Sequence, residues 1–367
     1  MNLPVAPTPV RRAFQPLFML LEIALLIIIG AISGLMVLLS VFPFARKAIR
    51  LCIMGTGLIG LDLSITLGCW RLWLLRRLGR SDPVSWRTDH IQLLGDVLDR
   101  YVRVAQRVVG FRVSATDLTE PLYDDEPVLF LARHAGQGDS LLIAWLISHE
   151  LHRAPRVVLK RFLMWFPAID LIIHRLDGYF LPPKGTPAAE RKASLDAFCA
   201  SLGRHDGAMV FPEGQNWTPA RHAAAIEKDR ASDDPDAPMR VAWLERHPTV
   251  LTPRVGAADN FIDAVPGLRV ICIWHAGVED LYTVKAVWSA IPLQEPVHVR
   301  FTERRPVPTG DALKDYLYDE WGDLDDWSRQ ISHQPALPGE RPLYTEQVTT
   351  RSFLTQLRAS TRRARRT

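Results

Sequence analysis

Apolar and polar positions divide the chain into a membrane-like beginning and a longer stretch of alternating short runs. From Pro16 to Val41 the only charge is Glu22, and the run is long enough for one membrane crossing at roughly 20 residues per span. A second run, Leu51 to Trp70, carries Asp62 at its centre, where a charge is expensive for a lone helix in lipid. Gly30 and Gly34 on the first run and Gly55, Gly57 and Gly60 on the second let two such helices pack closely. From Ser81 to Gly110 a linker leads into a helix, with Ile91, Leu94, Leu98, Val102 and Ala105 at helical spacing. Short apolar runs then follow one another: Val128 to Ala132, Arg156 to Leu159, Tyr179 to Leu181, Ala208 to Phe211, Val250 to Thr252, Val270 to Trp274 and Val297 to Phe301. These read as strands, and helices fit between most of them, as where Thr186-Pro187 opens a helix that Gly203 closes. The alternation predicts an α/β fold, a mixed sheet covered by helices on both faces, preceded by an N-terminal two-helix membrane segment.

The expected organisation is a disordered, Pro-rich N-terminus over 1–15, a membrane-embedded two-helix segment over 16–80, the α/β domain over 81–330, and a linker with a basic tail over 331–367. Residues 227–238, EKDRASDDPDAP, read as an acidic, mobile surface insertion. Leu313, Tyr316, Leu317, Trp321, Leu324 and Trp327 form a helical apolar face expected in the core, and Ser332 to Pro342 reads as a Pro-rich linker.

Composition narrows the class. The chain has 367 residues, 48% hydrophobic and 23% charged, with a net charge of +4, which suits one large domain with an appendage. The bases are concentrated: Arg71, Arg76, Arg77 and Arg80 follow the second apolar run, and five arginines lie between Arg358 and Arg366. Bases at both ends suggest anionic lipid headgroups. Arg46, Lys47 and Arg50 between the two runs leave two topologies open, a hairpin with both ends cytosolic or a pair lying shallowly in one leaflet. No basic stripe interleaved with aromatics marks the centre, which argues against nucleic acid.

The candidate chemistry lies in Val128 to Asp139, VLFLARHAGQGD, where a strand ends in a glycine-containing turn. A loop of this spacing can bring the Asp139 carboxylate onto one imidazole nitrogen of His134, fixing the tautomer and supporting the charge when the ring takes a proton. The pair lacks a nucleophile, so it suits a reaction whose substrate supplies one. The pattern HxxxxD arises by chance about once in a chain with 11 His, and a second copy does stand at His275 to Asp280. Context separates the two: FPEG, Phe211 to Gly214, follows another apolar run, Ala208 to Val210.

HAGQGD followed by FPEGQN resembles the HxxxxD and FPEGTR blocks of the glycerolipid acyltransferases, the lysophosphatidate acyltransferase-like family. KRFLMWFP at Lys160 to Pro167 is similar to the family's second block and LTPRV at Leu251 to Val255 to its fourth; the resemblance covers about 127–327. It implies His134 as general base with Asp139 as its orienting partner, and Phe211, Pro212, Glu213 and Gly214 as substrate-binding residues. Glu213 would hold the acceptor; the alternative is a structural Glu capping nearby backbone. Lys160 would bind a headgroup, and Arg254 suits a bidentate contact to phosphate; a solvated Lys160 and a salt-bridged Arg254 are the competing readings. The chain departs from the family at Gly136 in place of Ser, Asp170 in place of Gly, and Gln215-Asn216 in place of Thr-Arg. Arg221 is the candidate to replace the missing arginine.

The expected function is transfer of a fatty acyl group from acyl-CoA or an acyl carrier protein, a co-substrate, to the hydroxyl of a lysophospholipid, first lysophosphatidate, at the cell (inner) membrane with the domain on the cytosolic side. Two alternatives stay open: another lipid acceptor such as a glycolipid or amine-bearing lipid, and a non-catalytic membrane-anchored lipid-binding protein. No metal or cofactor is expected. His149 and His152 are too close for the HExxH zinc geometry, the four cysteines have no metal spacing, and GxSxG and P-loop motifs are absent.

Overall fold

In the computed structural model, which describes residues 8–82, 84–117, 124, 126–136, 138–304, 307–337 and 339–343, two long helices come first, α1 (Thr8–Leu38) and α2 (Pro43–Arg77). Both are long and apolar enough to cross a membrane. Helix α3 (Trp86–Val109) follows, its apolar positions Ile91, Leu94, Leu98, Val102 and Ala105 all buried, and Gly110 closes it in the left-handed conformation that glycine adopts freely. The rest alternates: β1 (Val113–Thr116), β2 (Val128–Ala132), α4 (Asp139–Trp145), a π-helical turn (Leu146–Glu150), β3 (Ala154–Leu159) and a 3-10 turn (Arg161–Trp165). Then come α5 (Pro167–Arg175), β4 (Tyr179–Phe180), α6 (Ala188–Ala200), β5 (Asp206–Val210), α7 (Pro219–Arg230), α8 (Ala237–Arg246) and α9 (Gly256–Ala264). The last are β6 (Arg269–Ala276), α10 (Val284–Ala290), β7 (Val297–Thr302), α11 (Asp311–Ile331) and β8 (Arg341–Pro342).

The strands form one mixed sheet in the order β4-β3-β5-β2-β6-β7-β1-β8. From β4 to β6 neighbours are parallel, β7 runs antiparallel to β6, β1 is parallel to β7, and β8 closes the edge antiparallel to β1. Side chains of β2 divide between two cores: Val128, Phe130 and Ala132 pack with α3, α4 and α5, while Leu129 and Leu131 pack with α6, α8, α9 and α11. Ile271 and Ile273 of β6 join the first core, and Val270, Cys272 and Trp274 the second. This period-two division of wholly buried strands is what helices on both faces require.

Several expectations are corrected. Of the N-terminus expected to be disordered, Thr8 to Gln15 is helical and anchored: Arg11 forms a buried ion pair with Asp170 of α5 (2.8 Å), and Gln15 Oε1 accepts from Trp70 Nε1 of α2 (3.3 Å). Asp62, costly in lipid, faces protein instead, where its carboxylate accepts from Thr66 Oγ1 (3.4 Å) and from the Ala168 N–H in the first turn of α5 (3.3 Å). The acidic insertion at 227–238 is the end of α7, a short turn and the start of α8, laced by Arg240 to Asp229 (2.8 Å) and Asp234 (3.0 Å). Val250 and Leu251 are buried and Thr252 is half-buried, but the segment is not a strand; the Leu251 N–H donates to the Glu213 carboxylate instead of to a neighbouring strand. Within the linker assigned to 332–342, Arg341–Pro342 pairs with β1 as β8. The basic tail from 344 onward lies outside the described residues, as do 1–7.

Candidate active site

Parallel strands put β2, β5 and β3 in register, so His134, the FPEG turn and Lys160 leave the same edge of the sheet, where ligands gather in α/β proteins. His134 is held there by its backbone. Its N–H donates to Glu213 Oε1 (3.2 Å), its carbonyl accepts from the Trp217 N–H (2.6 Å), and the carbonyl of Arg133 before it meets Nε2 of His275 (3.0 Å). The His134 ring stacks on Phe211 with centroids 4.5 Å apart. Nδ1 lies 2.6 Å from Oδ2 of Asp139, whose other oxygen accepts from the Ser140 N–H (2.6 Å).

A carboxylate can only accept, so Nδ1 carries the ring proton and Nε2 keeps its lone pair. Nε2 has no hydrogen-bond partner among the described residues, and the side chain is 25% exposed while Asp139 is 3% exposed. The arrangement is an oriented base with its working atom on the open side.

Glu213 is placed otherwise than an acceptor-holding residue. It is buried, and its carboxylate accepts from the backbone of His134 and Leu251 (3.0 Å) and from Trp321 Nε1 (3.3 Å). Burial pushes it up to about 7, against the pull of the Arg133 guanidinium and of these donors. Its geometry is that of the alternative reading, a carboxylate that ties β2's loop, the 250–252 segment and α11 together. Pro212 is buried and its carbonyl accepts from the Arg254 N–H (2.9 Å). The Arg254 guanidinium lies against Gly214, with Nη1 3.3 Å from where a Cβ would stand. Arg221 Nη1 donates to the Asn216 carbonyl (2.7 Å) from the first turn of α7, which Thr218 caps. Arg221, Arg254 and Gly214 are exposed on the rim of the site, and Lys160 is exposed two strands away at the end of β3.

The departures from the family pattern fit one another. Gly136 has φ +87°, and a Cβ on it would meet the Val278 carbonyl oxygen at 2.1 Å, so Ser has no room. Asn216 donates from Nδ2 to the Gly136 carbonyl (3.1 Å), and Asp170 is the partner of Arg11.

Sequence reasoning passed over Arg133. Its guanidinium is fully buried, donates to the carbonyls of His275 (3.1 Å) and Thr249 (2.6 Å), and lies 3.8 Å from Glu279. A cation directly after a wholly apolar strand was the available signal. The second HxxxxD separates here: His275 is fully buried in β6, whereas Asp280 is exposed and pairs with His333 (3.1 Å). His247, Asp325 and Asp326 could hold a metal by spacing, but Arg329 already pairs with both carboxylates and Thr249 with Asp325, so their charge is met by protein.

Residues 114–275 match the family model described as Acyltransferase. No curated protein matches the chain. Among solved structures, the chain is similar to the 1-acyl-sn-glycerophosphate (LPA) acyltransferase PlsC from Thermotoga maritima, at 15% identity over 75% of this chain and 98% of that one, with a TM-score of 0.48.

Proposed function

We propose that this chain, whose residues 114–275 match the Acyltransferase family model, is a glycerolipid acyltransferase that moves a fatty acyl group from acyl-CoA or an acyl carrier protein to the free hydroxyl of a lysophospholipid, with lysophosphatidate as the first candidate. The observation that carries the reading is the 2.6 Å contact between His134 Nδ1 and Asp139 with Nε2 open. Nε2 takes the acceptor's hydroxyl proton as the oxygen attacks the thioester carbonyl. The tetrahedral intermediate collapses, the C–S bond breaks, and the imidazolium returns its proton to the thiolate, giving an ester and a free thiol. No covalent enzyme intermediate, metal or redox cofactor is needed. General-base action of this kind contributes about 10²–10⁴-fold.

Arg221 and Arg254 on the rim are the candidate phosphate contacts, since a guanidinium fork fits phosphate oxygens. Lys160 would reach the headgroup from the neighbouring block. The α1–α2 pair would hold the domain on the cytosolic face of the cell (inner) membrane, where both substrates partition. A second reading, a glycolipid or amine-bearing acceptor, is favoured by Asn216, which stands where the family has its arginine and is turned onto Gly136.

The test is thiol release from a long-chain acyl-CoA by the detergent-purified protein, with lysophosphatidate or monoacylglycerol as acceptor. Release that requires lysophosphatidate and is lost in His134→Ala is the expected result. Release with neither acceptor would favour the second reading or an acyl carrier protein donor, and release that survives His134→Ala would remove the base from the mechanism.

A further inference from the structure

The start of α1, the end of α2, the end of α5 and the first turn of α3 meet at one place. Gln15 bonds Trp70 across the antiparallel α1–α2 pair, and Arg11 reaches Asp170 of α5. Arg76 and Arg175 both lie over the ring of Trp86, 4.7 and 4.6 Å from its centroid. Burial, and after it the nearby Arg12 and Arg76 charges, hold the Arg175 guanidinium below its ordinary value. Two cations therefore share one indole, and Arg12 follows Arg11, whose guanidinium is held on the same helix α5 that carries Arg175.

Of the carboxylates near them, Asp89 in the first turn of α3 accepts from Ser85 Oγ (2.9 Å) and the others pair with other arginines. Asp170 pairs with Arg11, and Asp177 and Asp206 pair with Arg87. Among the described residues, Arg12, Arg76 and Arg175 make no ion pair. Close like charges with no carboxylate in direct contact are unfavourable, and stacking on an indole fixes two of them in place instead of letting them separate into water. Such a set is complementary to a phosphate, whose oxygens accept from several guanidinium forks at once.

The surroundings identify the source of that phosphate. Phe14 and Leu17 on α1, Trp73 and Leu74 on α2 and Leu78 just after it are exposed apolar side chains beside the cluster, and Arg77 lies over Trp73 (5.6 Å). Indoles and arginines at the end of an exposed apolar helix pair are the side chains of a bilayer interface. The place is also remote from His134: Arg87, next to Trp86, pairs with Asp206 at the first residue of β5, whereas His134 leaves the other edge of the sheet.

We infer that Arg76 and Arg175, stacked on Trp86, with Arg12 next to the Arg11–Asp170 pair, bind the phosphate of an anionic phospholipid headgroup of the bilayer, at a site separate from the one that carries out acyl transfer. The inference rests on reading α1 and α2 as the membrane segment, not on the acyl-transfer reaction, and its test reads lipid binding alone.

The full-length protein in a neutral detergent is titrated with phosphatidylglycerol, phosphatidylcholine or inorganic phosphate while its melting temperature is followed. Phosphatidylglycerol is expected to raise the melting temperature saturably, with the other two inert. Half-saturation should need about fivefold more lipid in Arg175→Gln and about a hundredfold more in the Arg12→Gln/Arg76→Gln/Arg175→Gln variant, at roughly fivefold per arginine. Arg175→Lys should keep most of the response, and Arg246→Gln on α8 all of it. Arg76 is exposed and stands over Trp86, so Arg76→Gln alone carries the test if the triple variant does not fold. Equal half-saturation in wild type and the arginine variants overturns the site, and an equal shift from inorganic phosphate overturns its assignment to lipid.

Discussion

Gly136 illustrates how tightly single positions are determined around His134. Its φ is +87°, and the Val278 oxygen lies 2.1 Å from the point a Cβ would occupy, so only glycine fits. Gly136→Ser, which installs the serine of the block that HAGQGD resembles, should cost about 1–3 kcal/mol from backbone strain, with the contact adding to it. The expected outcome is a lower melting temperature together with slower thiol release; an unchanged melt would mean that the loop can move off Val278. Glu213 acts through burial. Its folded value of about 7 lies above the ordinary 4.5, so between these pH values the native state binds more protons than the unfolded one and stability falls as pH rises. The contribution is fully present below 4.5 and is lost as pH passes through about 7. Glu213→Gln should therefore show a smaller fall in melting temperature from pH 5 to pH 8 than the wild type, and an equal fall would place the slope on other groups.

At the scale of elements, the two N-terminal helices dock on α5 through charged side chains set within largely apolar sequence. Asp62 caps the first turn of α5 from the middle of α2, and Arg11 pairs with Asp170 in a site where both side chains are almost inaccessible. A buried pair is costly to break by removing one member, about 3–5 kcal/mol, and often neutral to replace as a whole. Arg11→Ala should loosen the start of α1, seen as faster amide exchange over 8–20 and easier proteolysis there. The double variant Arg11→Met/Asp170→Leu should restore most of the protection. If the double variant is as loose as the single one, packing and not charge burial holds α1 in place.

For the whole molecule, the sheet joins two cores, and β2 contributes to both. Phe130 is fully buried among residues of the α3–α4–α5 side, while its neighbours Leu129 and Leu131 face α9 and α11. Phe130→Ala should destabilise by about 3–5 kcal/mol. Because strand pairing couples the layers, the loss should appear as one shifted denaturation transition followed both by tryptophan fluorescence and by far-UV circular dichroism. Two separated transitions would show that the layers unfold independently.

What the sequence determined by itself follows from local periodicity and composition. The apolar run of β2 and those within β5 (Ala208–Val210) and β6 (Val270–Trp274), the helical spacing of α3 and the two long apolar helices were legible because each pattern is complete within its own segment. The pairing of His134 with Asp139 was legible for the same reason, five residues apart on one loop. Strands β1 and β8 were not, since four and two residues carry no pattern and exist only through pairing with partners far along the chain, Val113 with Val297 and Ala115 with Arg341. Helix α7 was hidden by polar composition, because ion pairs stabilise it where it buries no residue, whereas α8 buries Trp243 and Leu244 behind an acidic, Pro-containing start. The two HxxxxD copies are equivalent as strings. Tertiary structure alone decided between them: β6 buries His275 and turns Asp280 outward, whereas β2 ends in a loop whose backbone Glu213 and Trp217 fix from the next strand. Which groups meet across a sheet depends on register between distant segments, and no local pattern encodes it.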